Sequence, residues 1–178
     1  VAILGMLGGF LTPILLSTGV DNPLGLFGYI ALLDLGLLFV AHHRRWHFLT
    51  ALAAVGTALM QIGWAGEFFE SQKYFAGDKI FITLGVLAGF NALYLGATWR
   101  AKKKSSFNWW LSGSTLGLAA VALAFTAFFL SYPTLAERPW LIFSFLMLIV
   151  LGIAAVVLLK NRLAPAQSLA GLAVSLAL

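Results

Sequence analysis

The chain has 178 residues, of which 61% are hydrophobic and only 10% charged, with a mean hydropathy of +0.97. Soluble domains carry about 25% charged residues, so a soluble monomer is excluded. The net charge of +5 does not point to nucleic acid, because eight of the eleven cations fall in three short breaks between apolar runs, and the lack of cysteine excludes disulfides, thiolate metal sites and iron–sulfur clusters within the chain.

A membrane span needs about 20 apolar residues to cross a hydrocarbon core of about 30 Å. Residues 1–20 carry no charge but contain Gly5, Gly8, Gly9 and Pro13, which predicts a broken or re-entrant helix. Residues 23–42 form the next span, interrupted only by Asp34. Clean spans follow at 46–66, 79–99, 107–131 and 139–159. Residues 165–178 begin a seventh, incomplete span. The runs are continuously apolar rather than alternating at period two, so a β-barrel is not expected. The fold class is therefore all-α, a polytopic transmembrane helical bundle with six to seven spans. The chain starts at Val1 and stops at Leu178 inside apolar runs, the pattern expected of a fragment of a longer protein. Its expected partners are membrane lipids and the remaining spans of that protein, or other membrane subunits.

The hydrophilic breaks alternate in charge. Arg44 and Arg45, then Arg100, Lys102, Lys103 and Lys104, then Lys160 and Arg162 mark every second break. Positive loops stay in the cytoplasm, so breaks 42–47, 100–106 and 160–164 are expected inside. Breaks 17–22, 67–78 and 132–138 are then outside, with five of the six acids. All six tryptophans, Trp46, Trp64, Trp99, Trp109, Trp110 and Trp140, lie near a predicted boundary, where indole favours the headgroup level. In the 67–78 break, Trp64, Phe68, Phe69, Phe75 and Ala76 share one helical face, and Glu67, Glu70, Ser71 and Tyr74 the other. That predicts a short helix lying on the outer leaflet. A weak echo links Asp21-Asn22-Pro23 to Glu137-Arg138-Pro139 at an offset of 116. It fits either a parallel repeat or convergence on generic helix-start chemistry.

Asp34 is the sharpest candidate for chemistry. A carboxylate near the bilayer centre costs about 2.5–3.5 kcal/mol on insertion scales, so it must be paired, hydrated or protonated. It could serve a proton or cation relay, or simply hydrogen-bond a neighbouring helix. Asn91 lies at a similar predicted depth and is its expected partner. Tyr29, Gln61 and Tyr94, with Thr57, add polar groups at nearby depths. Together they could line one cavity or act as interhelical polar glue. A second candidate is the broken helix at Gly8, Gly9, Thr12 and Pro13, where unpaired backbone could meet a ligand if it lined a cavity; the alternative is a kink satisfied by Thr12 or a neighbouring helix. A third is the outer acidic group Glu67, Glu70 and Asp78, because paired carboxylates can do acid–base work. His43 and His47 stand at i, i+4, but Arg44 and Arg45 lie between them and no carboxylate accompanies them, so no metal is expected there. The three histidines, His42, His43 and His47, lie at span ends and none lies mid-span, so paired haem ligands are not expected either. No P-loop, nucleophile elbow or dinucleotide fingerprint is present, and no cofactor is expected. Gly5/Gly9, Gly85/Gly89 and Gly113/Gly117 form small-xxx-small pairs that predict close helix packing.

The run Gly8-Gly9-Phe10-Leu11-Thr12-Pro13-Ile14-Leu15-Leu16-Ser17, followed by Leu26-Phe27-Gly28-Tyr29-Ile30 and Arg45-Trp46, resembles a family of large bacterial membrane proteins catalogued as domain of unknown function 2339. The resemblance covers about residues 3–50, and beyond residue 50 it rests on the continuing hydrophobic spans. It implies a multi-pass protein of the bacterial inner (cytoplasmic) membrane, much longer than this chain. The family carries no established activity, so it lends no catalytic residue. Three functional classes remain open. A transporter or flippase-like component is the first expectation and needs a hydrated cavity around Asp34. A scaffold or assembly subunit would fill that zone with packed side chains. An outer-leaflet enzyme would use the outer acids.

Overall fold

The structure is a computed structural model that describes residues 2–16, 19, 21–44, 46–75, 79–102, 109–132 and 139–158. Seven helices account for nearly all of these: α1 (Ala2–Leu15), α2 (Pro23–Arg44), α3 (Phe48–Phe68), α4 (Ser71–Phe75), α5 (Lys79–Lys102), α6 (Trp109–Leu130) and α7 (Pro139–Leu158). No strand occurs among the described residues. An apolar chain in hydrocarbon has no water to satisfy its backbone, and a helix satisfies it within the segment. Four helices are long and apolar enough to cross a membrane: α2, α3, α5 over Lys79–Arg100, and α6. Shorter apolar helical stretches lie at Leu4–Leu15 and Pro139–Ala154. The expected seventh span at 165–178 lies outside the described residues.

Helix ends follow local chemistry. Pro23 and Pro139 open α2 and α7, where the missing N–H is no loss. The Asn22 side chain accepts the Gly25 N–H at 3.0 Å and its carbonyl accepts the Leu26 N–H at 3.1 Å, so Asn22 caps α2. Phe69 adopts extended backbone (φ −80°, ψ 103°) and ends α3.

α2 and α3 pack antiparallel, as do α5 and α6, where Asn91 meets Leu118 and Tyr94 meets Thr115. Between α2 and α3, Phe27 meets Trp64 and Asp34 meets Thr57, so positions rise in one helix as they fall in the other. Between α2 and α5, Phe27 meets Phe90 and Asp34 lies beside Tyr94, so these two run parallel. The ends of α2 and α5, and the starts of α3 and α6, therefore share one end of the bundle. That end carries Arg44 and Arg100. α3 and α5 both pack on α6, α7 packs on α5, and α1 touches only α2 and α3 among the larger contacts. One core cluster joins α5, α6 and α7 through Ile80, Ala122, Phe129 and Ile149. A second joins α1, α2, α3, α4 and α5 through Phe10, Ile30, Trp64, Tyr74 and Phe90.

Three expectations need correction. First, α1 is not broken at Gly8, Gly9 or Pro13; the helix runs continuously to Leu15 with Pro13 inside it. Proline leaves the carbonyl four residues earlier without its donor, and that carbonyl belongs to Gly9. The Tyr29 hydroxyl of α2 donates to it at 3.1 Å. Thr12 Oγ1 donates to Gly8 O at 2.7 Å. The freed backbone is thus already satisfied, by Thr12 and by the neighbouring α2. Second, the 67–78 break does not hold one amphipathic helix. α3 continues to Phe68, and the extended Phe69 resets the phase before α4, so Tyr74 turns inward and is only 1% exposed. Ala76 lies outside the described residues. Third, the small-xxx-small glycines do not mark close contacts within the bundle. A Cβ at Gly5, Gly85, Gly89, Gly113 or Gly117 would meet nothing within 4 Å; of those six, only Gly9 is crowded, by Leu33.

The tightest glycine is one outside that pattern. A Cβ on Gly56 of α3 would lie 2.7 Å from the Phe10 ring of α1. Substituting Gly56→Leu is expected to push α1 off α3 and to cost about 1–3 kcal/mol as an overpacked site. Gly63→Leu, at an open position on the same helix, is the control. Thermal unfolding in detergent should show a clear loss for the first variant and little for the second.

Candidate functional site

Asp34 sits midway along α2 and is completely buried. Thr57 of α3 donates its hydroxyl to Asp34 Oδ2 at 2.6 Å. Tyr94 of α5 brings its hydroxyl to the same carboxyl, yet that hydroxyl and Asp34 Oδ1 both lack a hydrogen-bond partner. Thr57 and Tyr94 are also fully buried. The result is a buried cluster of three polar side chains from three helices. Gln61 is buried one turn further along α3.

The other expected members lie elsewhere. Asn91 is buried but turns to α6, donating to Leu118 O at 3.5 Å and back to Leu87 O at 2.9 Å. Tyr29 is 39% exposed and serves α1. Tyr29 and Asp34 are five residues apart, which puts them about 140° apart around the helix.

A second polar seam extends the contact through α5. Tyr94 O accepts the Thr98 hydroxyl at 2.9 Å. Thr98 and Thr115 also hydrogen-bond each other at 2.9 Å. Polar contacts thus run from α3 and α2 through Tyr94 to α6. Each such bond in a membrane is worth about 0.6 kcal/mol. Several in one line fix the rotation of four helices whose apolar faces would otherwise slide.

The end opposite Arg44 holds a cluster that the sequence pattern did not single out. The Asp21 carboxylate accepts hydrogen bonds from Trp64 Nε1 at 3.2 Å, from the Tyr74 hydroxyl at 2.7 Å and from the Lys73 ammonium, with which it pairs. Burial pushes the Asp21 carboxyl up, but hydrogen bonds from Lys73, Tyr74 and Trp64, with the Lys73 charge, outweigh it, and the group lies below its ordinary value of 3.8. Burial and the Asp21 carboxylate together raise the Tyr74 hydroxyl well above its usual range. The only sequence signal was that Asp21 and Lys73 carry opposite charge in neighbouring outer breaks. Trp64, 6% exposed, is no headgroup anchor. The other five tryptophans are each about half exposed or more.

Glu67 and Glu70 are exposed. Glu70 acts through its carbonyl, which accepts the Lys73 and Tyr74 N–H groups at 3.0 Å and starts α4. Asp78 lies outside the described residues. Among the described residues no group of three or more acidic or histidine side chains could hold a metal. His42 and His43 are exposed, and the His43 ring stacks on Phe39.

Long apolar helices stitched by a few buried polar groups define a helical membrane protein. The chain belongs to a family described as predicted membrane protein, domain of unknown function 2339 (DUF2339), whose model matches residues 1–178. Comparison with curated proteins and with solved structures gives no match.

Proposed function

We propose that this region is a membrane-embedded scaffold, a packed stem that holds other spans or subunits in place. The observation that carries this reading is the closure of the Asp34 zone. Asp34, Thr57 and Tyr94 are completely buried and Gln61 nearly so. A water path would need exposed polar surface there. On this reading the polar groups are helix-to-helix stitches and the exposed apolar faces meet lipid or further spans. The basic end, with Arg44 and Arg100, faces the cytoplasm of a bacterial inner membrane.

Proton-coupled transport is the second reading. It is favoured by one observation, the unpartnered Asp34 Oδ1 and Tyr94 hydroxyl, since buried groups left without partners often mark function. Proton flux separates the two. In vesicles under an imposed pH gradient, the scaffold should relax the gradient no faster than protein-free vesicles do. Flux that disappears in Asp34→Asn would support the transport reading instead.

A further inference from the structure

Beyond a scaffold role, we infer that the groove between α3 and α6 is a binding site for one acyl chain of an anionic glycerophospholipid, with its phosphate held at the basic end. The open groove has a volume of about 310 Å³, at the lower limit of small-molecule sites of about 300–1,000 Å³. Ala54 and Ala58 of α3 and Trp109, Trp110, Gly113 and Gly117 of α6 line it. The two glycines leave real space, since a Cβ at either would touch nothing within 4 Å.

The dimensions favour an acyl chain over a helix. A helix with its side chains is about 10–12 Å across, too wide to sink into this volume, whereas a single methylene chain is far narrower. The groove reaches from Trp109 to Val121, a rise of about 18 Å along α6. That is a little over half of the roughly 30 Å core, the depth of a chain from one leaflet.

Charge selects the headgroup. Both walls begin at a basic break: α3 follows Arg44, Arg45 and His47, and α6 follows Arg100, Lys102, Lys103 and Lys104. Neither break contains an acid. Arg44 and Arg100 are exposed and lie at the end of the bundle where both groove helices, α3 and α6, begin. Trp109 and Trp110, 64% and 50% exposed, lie at the level where indole meets headgroups. Basic pockets between spans at this level are suited to anionic lipid.

The test is retention of phosphatidylglycerol against phosphatidylcholine of equal chain length, read by native mass spectrometry of the full chain in detergent. Phosphatidylglycerol should be held about tenfold more tightly. Gly117→Leu should fill the groove and abolish that retention. Gly85→Leu, at an equally open position on α5, should not change it. Arg44→Gln with Arg100→Gln, exposed changes that spare the packing, should remove the preference for phosphatidylglycerol; this pair decides the matter if Gly117→Leu fails to fold. Retention in Gly117→Leu that equals the parent overturns the site. So does equal retention of the two lipids.

Discussion

Asp21→Ala is expected to release α4 from the rest of the bundle and to cost about 2 kcal/mol of stability. Three donors converge on this carboxylate, and two of them, Trp64 Nε1 and the Tyr74 hydroxyl, belong to nearly buried side chains. Removing the acceptor leaves both without a partner away from water, the costly half of breaking a hydrogen bond. Lys73 differs, since its side chain is 35% exposed and can return to solvent. Lys73→Gln should therefore cost under about 1 kcal/mol, as exposed ion pairs do. Acid should mimic Asp21→Ala in the parent protein. The folded state holds the Asp21 carboxyl below its ordinary 3.8. Its contribution is then fully present above 3.8 and is lost as the pH falls from there through the lower folded value. Amide-exchange protection of residues 71–75, relative to the intrinsic rate at each pH, should fall in that window in the parent and be low at all pH values in Asp21→Ala. Unchanged exchange in the variant would mean that α4 is held by its aromatic contacts alone.

Thr57→Val should destabilise the protein by about 1–2 kcal/mol, above the average of about 0.6 for a hydrogen bond between membrane helices. The average describes neutral groups that find other partners. Asp34 is fully buried with Oδ1 already unpartnered, so the neighbouring Tyr94 hydroxyl would have to turn to it to replace the lost bond. The double variant Asp34→Leu with Thr57→Val should recover most of that loss. Replacing both members of a buried polar contact by apolar groups of similar size is often neutral or stabilising. Heat or denaturant unfolding in detergent measures all three variants. A double variant no better than Thr57→Val would mean that Asp34 supports the fold through contacts other than Thr57.

The helices were legible in the sequence because hydrocarbon leaves the backbone few alternatives. Apolar length and basic breaks carry that information directly. Rotation about each helix axis was not legible. Counting residues from a basic break gives height in the membrane, and by height Asn91 suited Asp34 well. Its azimuth sends it to α6, while Thr57 and Tyr94 reach the acid. Tyr29 failed for the same reason. Trp64 shows the limit of position along the axis, since it stands at a helix end like the other tryptophans but faces inward to Asp21. Glycine spacing misled in the same way. Gly113 and Gly117 share a face, but which neighbour that face meets is a property of the assembled bundle. Gly56, alone and unpatterned, meets Phe10.

The central claim is that the Asp34 zone is packed and closed to water. The chain has no cysteine, so a single Cys at position 34 can be probed without background. A small membrane-impermeant thiol reagent is applied from each side of the membrane to the folded, inserted protein. The expected result is no labelling from either side until the protein is unfolded. Labelling of the folded protein from either side would contradict the claim, because it would place a hydrated path at mid-membrane and turn the scaffold into a conduit.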